Sequence, residues 1–143
     1  MFDIKPRFES KNFQSFAKNL KSSISNMTPP FDEFGRYLTD ETKQQFTREE
    51  DPEGNKWAEL SPRTLLKKKS PHILRETEVM YKSLYYRADK KSFEYGINDF
   101  KYNFHHTGTE RMAARVVIGI TETRKEKLNK LIILYLKRVR SRR

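Results

Sequence analysis

The spacing of apolar side chains changes period along this chain, and that change limits the folds open to it. Phe13, Phe16, Ala17, Leu20, Ile24 and Met27 recur at helical spacing with Lys and Ser between them, which predicts an amphipathic helix over residues 10 to 27. Thr28-Pro29-Pro30 ends it and opens a second helix, since proline suits a first turn and Asp32 and Glu33 favour a helix N-terminus. Phe31, Phe34, Leu38 and Thr42 share one face of that helix, which is expected to run to about Arg48. From Leu84 the period falls to two. Leu84, Tyr86 and Ala88 alternate with Tyr85 and Arg87, and Phe93, Tyr95 and Ile97 alternate after Asp89-Lys90-Lys91, the pattern of a β-hairpin. Asn98-Asp99 reads as a turn and Arg115 to Ile120 as another strand. Thr121 or Thr123 can then cap a last helix with an apolar stripe of Leu128, Leu131, Ile132, Tyr135, Leu136 and Val139. The reading is an α+β domain: two N-terminal helices, a small mostly antiparallel sheet of three to five strands, and a C-terminal helix packed on the sheet.

Between the second helix and the hairpin the pattern is weaker. Residues 49–60 carry no period and form an extended loop, whose acidic turn Glu49-Glu50-Asp51-Pro52-Glu53-Gly54 leads to Trp57 and Leu60 as anchors. Ser61-Pro62 is an N-cap and first-turn pair for a short helix with Leu65 and Leu66, ending in Lys67-Lys68-Lys69. Residues 76 to 83 are compatible with helix. Residues 1–9 and 138–143 are expected to be flexible ends of a single domain spanning 1–143.

Composition matters for what completes the core. Only 35% of the 143 residues are hydrophobic and 34% are charged, yet ten Phe, seven Tyr and one Trp argue against disorder. A folded domain with a small aromatic core, partly completed by neighbouring subunits, reconciles the two. The formal charge of +11 favours nucleic acid, an anionic membrane or an acidic protein surface as partner. Cysteine is absent, which excludes disulfides and thiolate metal sites. The N-terminus lacks a signal-peptide apolar region and the longest apolar run, Leu131 to Leu136, is too short for a bilayer, so a soluble protein made inside the cell, without membrane contact, is expected.

Side chains that could carry chemistry are few. His105-His106 invites a metal, but adjacent histidines point apart and His72 is the only other histidine, so no metal or cofactor is expected. In the polar turn ahead of Arg115, His105 can hydrogen-bond while Gly108 supplies a positive φ. Trp57 packs down from its loop, and it can also anchor an interface. Arg115 either faces solvent or clamps a carboxylate across a subunit boundary. Lys67, Lys68, Lys69, Lys137, Arg138, Arg140, Arg142 and Arg143 can contact phosphates or acidic surfaces, or simply solvate their faces. No phosphate loop, nucleophile elbow, zinc-protease motif or cysteine nucleophile is present, so an enzyme is not expected.

Four segments occur in a telling order. They are Asp51-Pro52-Glu53-Gly54-Asn55-Lys56-Trp57 with Leu60-Ser61-Pro62-Arg63-Thr64, then Ile73-Leu74-Arg75-Glu76-Thr77, then Tyr95-Gly96-Ile97, and last His105-His106-Thr107-Gly108 running to Met112-Ala113-Ala114-Arg115-Val116-Val117-Ile118-Gly119. Together they resemble the phage virion morphogenesis family, the tail completion proteins of contractile-tailed phages, over roughly residues 34 to 136. The chain departs from the family pattern at Glu78, where glycine is customary, at His106, often Gln, at Ala113, usually proline, and at Val116-Val117, usually Pro-Phe. The resemblance implies a structural protein that caps the finished tail tube and helps join it to the head. It implies a homo-oligomeric ring, plausibly a hexamer, that touches tail tube or sheath proteins on one side and neck or portal-side proteins on the other. Its place would be the tail–neck junction of a virion assembled in the host cytoplasm, with DNA only as a passing, non-specific contact. Trp57, His105, Gly108 and Arg115 are the interface residues expected on that basis, with the basic C-terminal segment second. The alternatives are a head-side neck adaptor and a small basic nucleic-acid-binding protein.

Overall fold

The computed structural model describes the backbone of residues 11–142 and the side chains of residues 17–142. The expectations for residues 1–9, for the side chains of Phe13 and Phe16 and for Arg143 lie outside the described residues. Eight elements follow in order: α1 Lys11–Ser25, α2 Thr28–Arg48, α3 Pro62–Lys67, α4 Val79–Lys82, β1 Leu84–Ala88, β2 Phe93–Ile97, α5 Lys101–Thr107 and α6 Glu122–Ser141.

The long helix α2 organises the rest. Prolines occupy its first turn, where no intrahelical amide partner is needed. Phe34, Leu38, Thr42, Gln45 and Phe46 are buried along one face. The face serves two apolar clusters. Phe34 and Leu38 join Leu131 of α6 with Phe93, Tyr95 and Leu128 at its edge. Phe46 joins Trp57, Ile73, Met80 and Val117 in the other. Each such side chain withdrawn from water contributes about 1.5–3 kcal/mol.

Between the clusters lies a polar belt. The Gln45 amide donates to the Val117 carbonyl at 3.0 Å and accepts from the Arg124 guanidinium, which also donates to the Gly119 carbonyl at 2.6 Å. The Tyr95 hydroxyl reaches the Leu38 carbonyl at 3.1 Å and the Thr42 hydroxyl. Every one of these buried polar groups thus has a partner, which low dielectric makes necessary. Burial pushes the Tyr95 hydroxyl pKa up to about 12.

The hairpin pairs Leu84 with Ile97 through to Ala88 with Phe93, antiparallel. Its inner face lies on α2. Gly35 is required there, because a Cβ would stand 2.2 Å from the Tyr86 ring, and the Tyr86 hydroxyl donates to Asp32 at 2.8 Å. Helix α6 runs antiparallel to α2, as the pairs Gln45–Arg124 and Asn26–Tyr135 show. It packs chiefly on α2 and α1 rather than on the sheet, and continues through Ser141, so Lys137, Arg138 and Arg140 stand on helix.

Two further expectations are corrected. Among the described residues the sheet has two strands, not three to five. Residues 115–120 form no ladder because side chains take the places a neighbouring strand would fill. Trp57 Nε1 donates to the Val116 carbonyl at 2.9 Å, Gln45 and Arg124 hold the carbonyls of Val117 and Gly119, and the Ile118 amide donates to the Tyr102 hydroxyl at 3.2 Å. Second, His105-His106 lie in a helix, α5, not in a turn. The Asp99 carboxylate accepts from the Lys101 amide at 3.0 Å to start it, and Gly108 ends it.

Candidate functional site

A cleft of about 570 Å³ opens between α3 and α5. Helix α3 starts at Ser61, whose hydroxyl accepts from the Thr64 amide at 3.2 Å, and turns Thr64 and Lys68 toward the cleft. Helix α5 contributes Lys101 and His105, one turn apart. Leu60, Leu74, Met80 and Met112 supply an apolar lining, and Arg111 and Arg115 come from the segment after α5. Elsewhere on these elements apolar side chains are uncovered: Leu66 of α3 is 88% exposed and Phe100, just before α5, 75%, with Leu65 and Phe104 about half exposed.

Arg115 is buried, and its charge is directed inward. Nε donates to the Ala58 carbonyl at 2.9 Å and a terminal nitrogen to that of Glu59 at 3.2 Å, while its amide donates to the His105 carbonyl at 2.6 Å. It therefore neither faces solvent nor grips a carboxylate of its own chain. Burial lowers its pKa. His105 is held below the usual histidine range, first by burial and then by the Arg115 charge, and its buried Nδ1 has no partner. The other buried side-chain nitrogen without one, among the described residues, is Arg75 Nε. Arg75 sits between the lining residues Leu74 and Glu76, with its guanidinium 4.7 Å from the Tyr81 ring centre and 2.6 Å from Glu78.

The backbone beside the cleft is strained as well. Leu74 and Glu78 both take φ 59°, the left-handed region that costs a non-glycine residue about 1–2 kcal/mol. The conformation that the customary glycine would allow is therefore kept at Glu78 despite the substitution. Gly108 has φ 72°, and a Cβ there would meet the Ala114 amide at 2.9 Å and the Met112 carbonyl at 3.0 Å. Its role is to let the chain fold back tightly between α5 and the cleft.

Of the sequence-predicted residues, His105, Arg115 and Lys68 meet in this cleft. Trp57 does not. It is buried against Phe46, edge to face at 5.7 Å, and its aromatic surface belongs to the core. Lys67 ends α3 and Lys69 is exposed beyond it. Lys137, Arg138, Arg140 and Arg142 lie at the far end of α6 and do not line the cleft. The sequence reading missed Lys101 and Arg111. The available signal was the spacing of four between Phe100 and Phe104 and between Tyr102 and His106, which marks a helix turn.

The acidic turn stands apart from the cleft. Asp51 closes it, accepting from the amides of Glu53 and Asn55 at 2.9 Å each. Gly54 takes φ 88° with open space around it. Pro52 lies close to Gly119, within 3.0 Å of where a Cβ would project.

The cleft holds neither a nucleophile–base pair nor a cluster of ligands. Among the described residues no group of three or more His, Cys, Asp or Glu side chains could hold a metal ion, and no helix is long and apolar enough to cross a membrane. No curated protein and no solved structure matches the chain. The phage virion morphogenesis family matches residues 8–137, through every element described above save the last turn of α6. The chain belongs to the phage virion morphogenesis family.

Proposed function

We propose that this protein completes the phage tail: copies close into a ring on the last layer of the tube and offer a second surface to the head. The observation that carries the reading is the family match across residues 8–137. The surface is consistent with assembly in place of chemistry. Leu66, Phe100 and Phe104 are exposed on and near α3 and α5, the helices that flank the cleft. Exposed aromatic side chains are costly on a free monomer and useful in an interface. Closed rings need head-to-tail contacts, with different patches on the two sides of each copy.

In this reading the partners are further copies, plausibly six in all, tail tube or sheath proteins below, and neck or portal-side proteins above. Lys137, Arg138, Arg140, Arg142 and Arg143 would face either an acidic protein surface or the passing DNA, with contacts that weaken as salt rises. The protein would then act at the tail–neck junction of the virion.

The test is electron microscopy of a lysate from phage carrying an early stop codon in this gene. Full heads beside unattached tails of irregular length are the expected result. Unattached tails of normal length would instead assign the protein to the head side of the neck. Normal infectious particles would overturn the structural reading.

A further inference from the structure

The head-to-tail contact that such a ring requires has two candidate halves in this chain, and they lie apart. The segment 52–59 runs antiparallel beside 115–119: Pro52 meets Gly119, Trp57 bonds Val116, and Ala58 and Glu59 bond Arg115. At one end of this pair projects the acidic turn. At the other opens the cleft, with Arg111 and Ala113 among its lining. The span from Ala113 to Gly119 is up to about 20 Å for an extended chain.

The turn is a preformed knob. Asp51 fixes its backbone through the amides of Glu53 and Asn55, and Asp51 and Asn55 bond again across it through their backbones at 2.8 Å. Glu53 at the tip is exposed and, among the described residues, forms no ion pair, and none of them lies within 4 Å of where a Cβ would stand at Gly54. A rigid tip loses little entropy on docking.

The cleft has the complementary need. Arg115 is only 6% exposed. It, Lys68, Lys101 and Arg111 have no carboxylate within ion-pair distance among the described residues. Three carboxylates also line the cleft, but Glu76 accepts from the Lys69 amide and Asp99 from the Lys101 amide, which leaves Glu59 as the one without such a bond. A buried guanidinium without a counter-charge is costly, and an incoming carboxylate offsets that cost. Leu60, Leu74, Met80 and Met112 add apolar surface to the lining beside these cations.

We propose that the acidic turn, residues 51–54, of one copy docks in the α3–α5 cleft of the next copy, with Glu53 directed at Arg111 and its charge felt by the buried Arg115 behind it. The contact rests on the ring reading above. Because knob and socket occupy different places on each copy, the contact is heterologous and repeats around a ring.

The absence of cysteine makes the contact testable by cross-linking. Phage are grown with two co-expressed full-length copies, Glu53→Cys and Arg111→Cys, one lengthened by a tag, and purified particles are treated with a bis-maleimide whose spacer is as long as the Glu–Arg pair it replaces, since that pair holds its Cα atoms farther apart than a disulfide can bridge. A cross-linked heterodimer on a denaturing gel is expected. Particles with normal joined tails and no heterodimer overturn the contact while leaving tail completion in place. Normal particles from the stop-codon phage would overturn tail completion itself. If the cysteine variants do not assemble, charge reversal decides: Glu53→Arg and Arg111→Glu should each lower the yield of joined particles about tenfold or more. The double variant should recover most of it, and failure of that recovery overturns the proposal.

Discussion

The half of the molecule around α2, α6 and the hairpin and the half around the cleft are built on opposite terms. In the first, Gln45, Arg124, Tyr95 and Thr42 bond one another or nearby carbonyls, and Phe34, Leu38 and Leu131 are shielded from solvent. Around the cleft, His105 Nδ1 and Arg75 Nε are orphaned, Leu74 and Glu78 sit in left-handed backbone, and Phe100 and Leu66 face water. The difference lies in the buried polar groups, since exposed apolar side chains occur in both regions, Ile133 and Leu134 of α6 included. Both regions carry a buried apolar cluster. Recognition, in the reading proposed above, belongs to the region around the cleft.

The largest expected effect tests that division directly. Leu38 is 0% exposed and Leu66 is 88% exposed, so the same change at the two sites should give very different results. Leu38→Ala should cost about 2–5 kcal/mol, the transfer term plus the cavity left between α2 and α6. Leu66→Ala should stay within about 0.5 kcal/mol, as surface changes do. Urea denaturation of both variants measures this. Equal losses would show that the two halves do not differ in the way described.

A smaller effect comes from pH. Tyr95 lies against the polar belt, and its pKa is raised to about 12 by burial. A tyrosine whose folded pKa exceeds its unfolded value of about 10 contributes stability in full below pH 10. That contribution is lost as pH rises from 10 toward 12, and amounts to about 2–3 kcal/mol over the window. Tyr37, Tyr86 and Tyr102 are shifted in the same direction, so the wild-type curve alone cannot assign the loss. Tyr95→Phe should lose the two hydroxyl bonds at neutral pH, about 1 kcal/mol, and decline less steeply than wild type above pH 10. Parallel decline of the two proteins would place the titrating group elsewhere.

Legibility divides along the same line as the two halves. Helices α2 and α6 and the hairpin were readable because each repeats an apolar face over several turns or strand pairs, and repetition is what period analysis detects. Helix α5 has seven residues, under two turns, with its aromatic side chains partly exposed, so its period carries little signal. The segment 115–120 has a strand's β-branched composition, yet its polar groups are met by Trp57, Gln45, Arg124 and Tyr102 from distant positions. No local pattern encodes such long-range partners. His105 and Arg115 stood out as candidates and do lie at the cleft. Their company of Lys101 and Arg111 depends on the fold-back at Gly108, a tertiary event.

The smallest expected effect separates backbone strain from side-chain pairing at the cleft. Glu78 takes φ 59° just before α4, and its carboxylate meets Arg75 at 2.6 Å and Lys82 at 3.8 Å. Both ion pairs are partly solvated, which limits each to roughly 0–1 kcal/mol. Glu78→Ala keeps the unfavourable backbone and removes the pairs, so it should lower stability by up to about 1 kcal/mol. Glu78→Gly removes the same pairs but relieves the left-handed conformation, worth about 1–2 kcal/mol, against about 0.5–1 kcal/mol of extra unfolded-state freedom. The glycine variant should therefore be the more stable of the two by a few tenths to about 1 kcal/mol, resolvable as a shift in the urea midpoint. If alanine proves the better, the segment relaxes out of its left-handed geometry without cost, and backbone strain at Glu78 would no longer be a feature of the cleft.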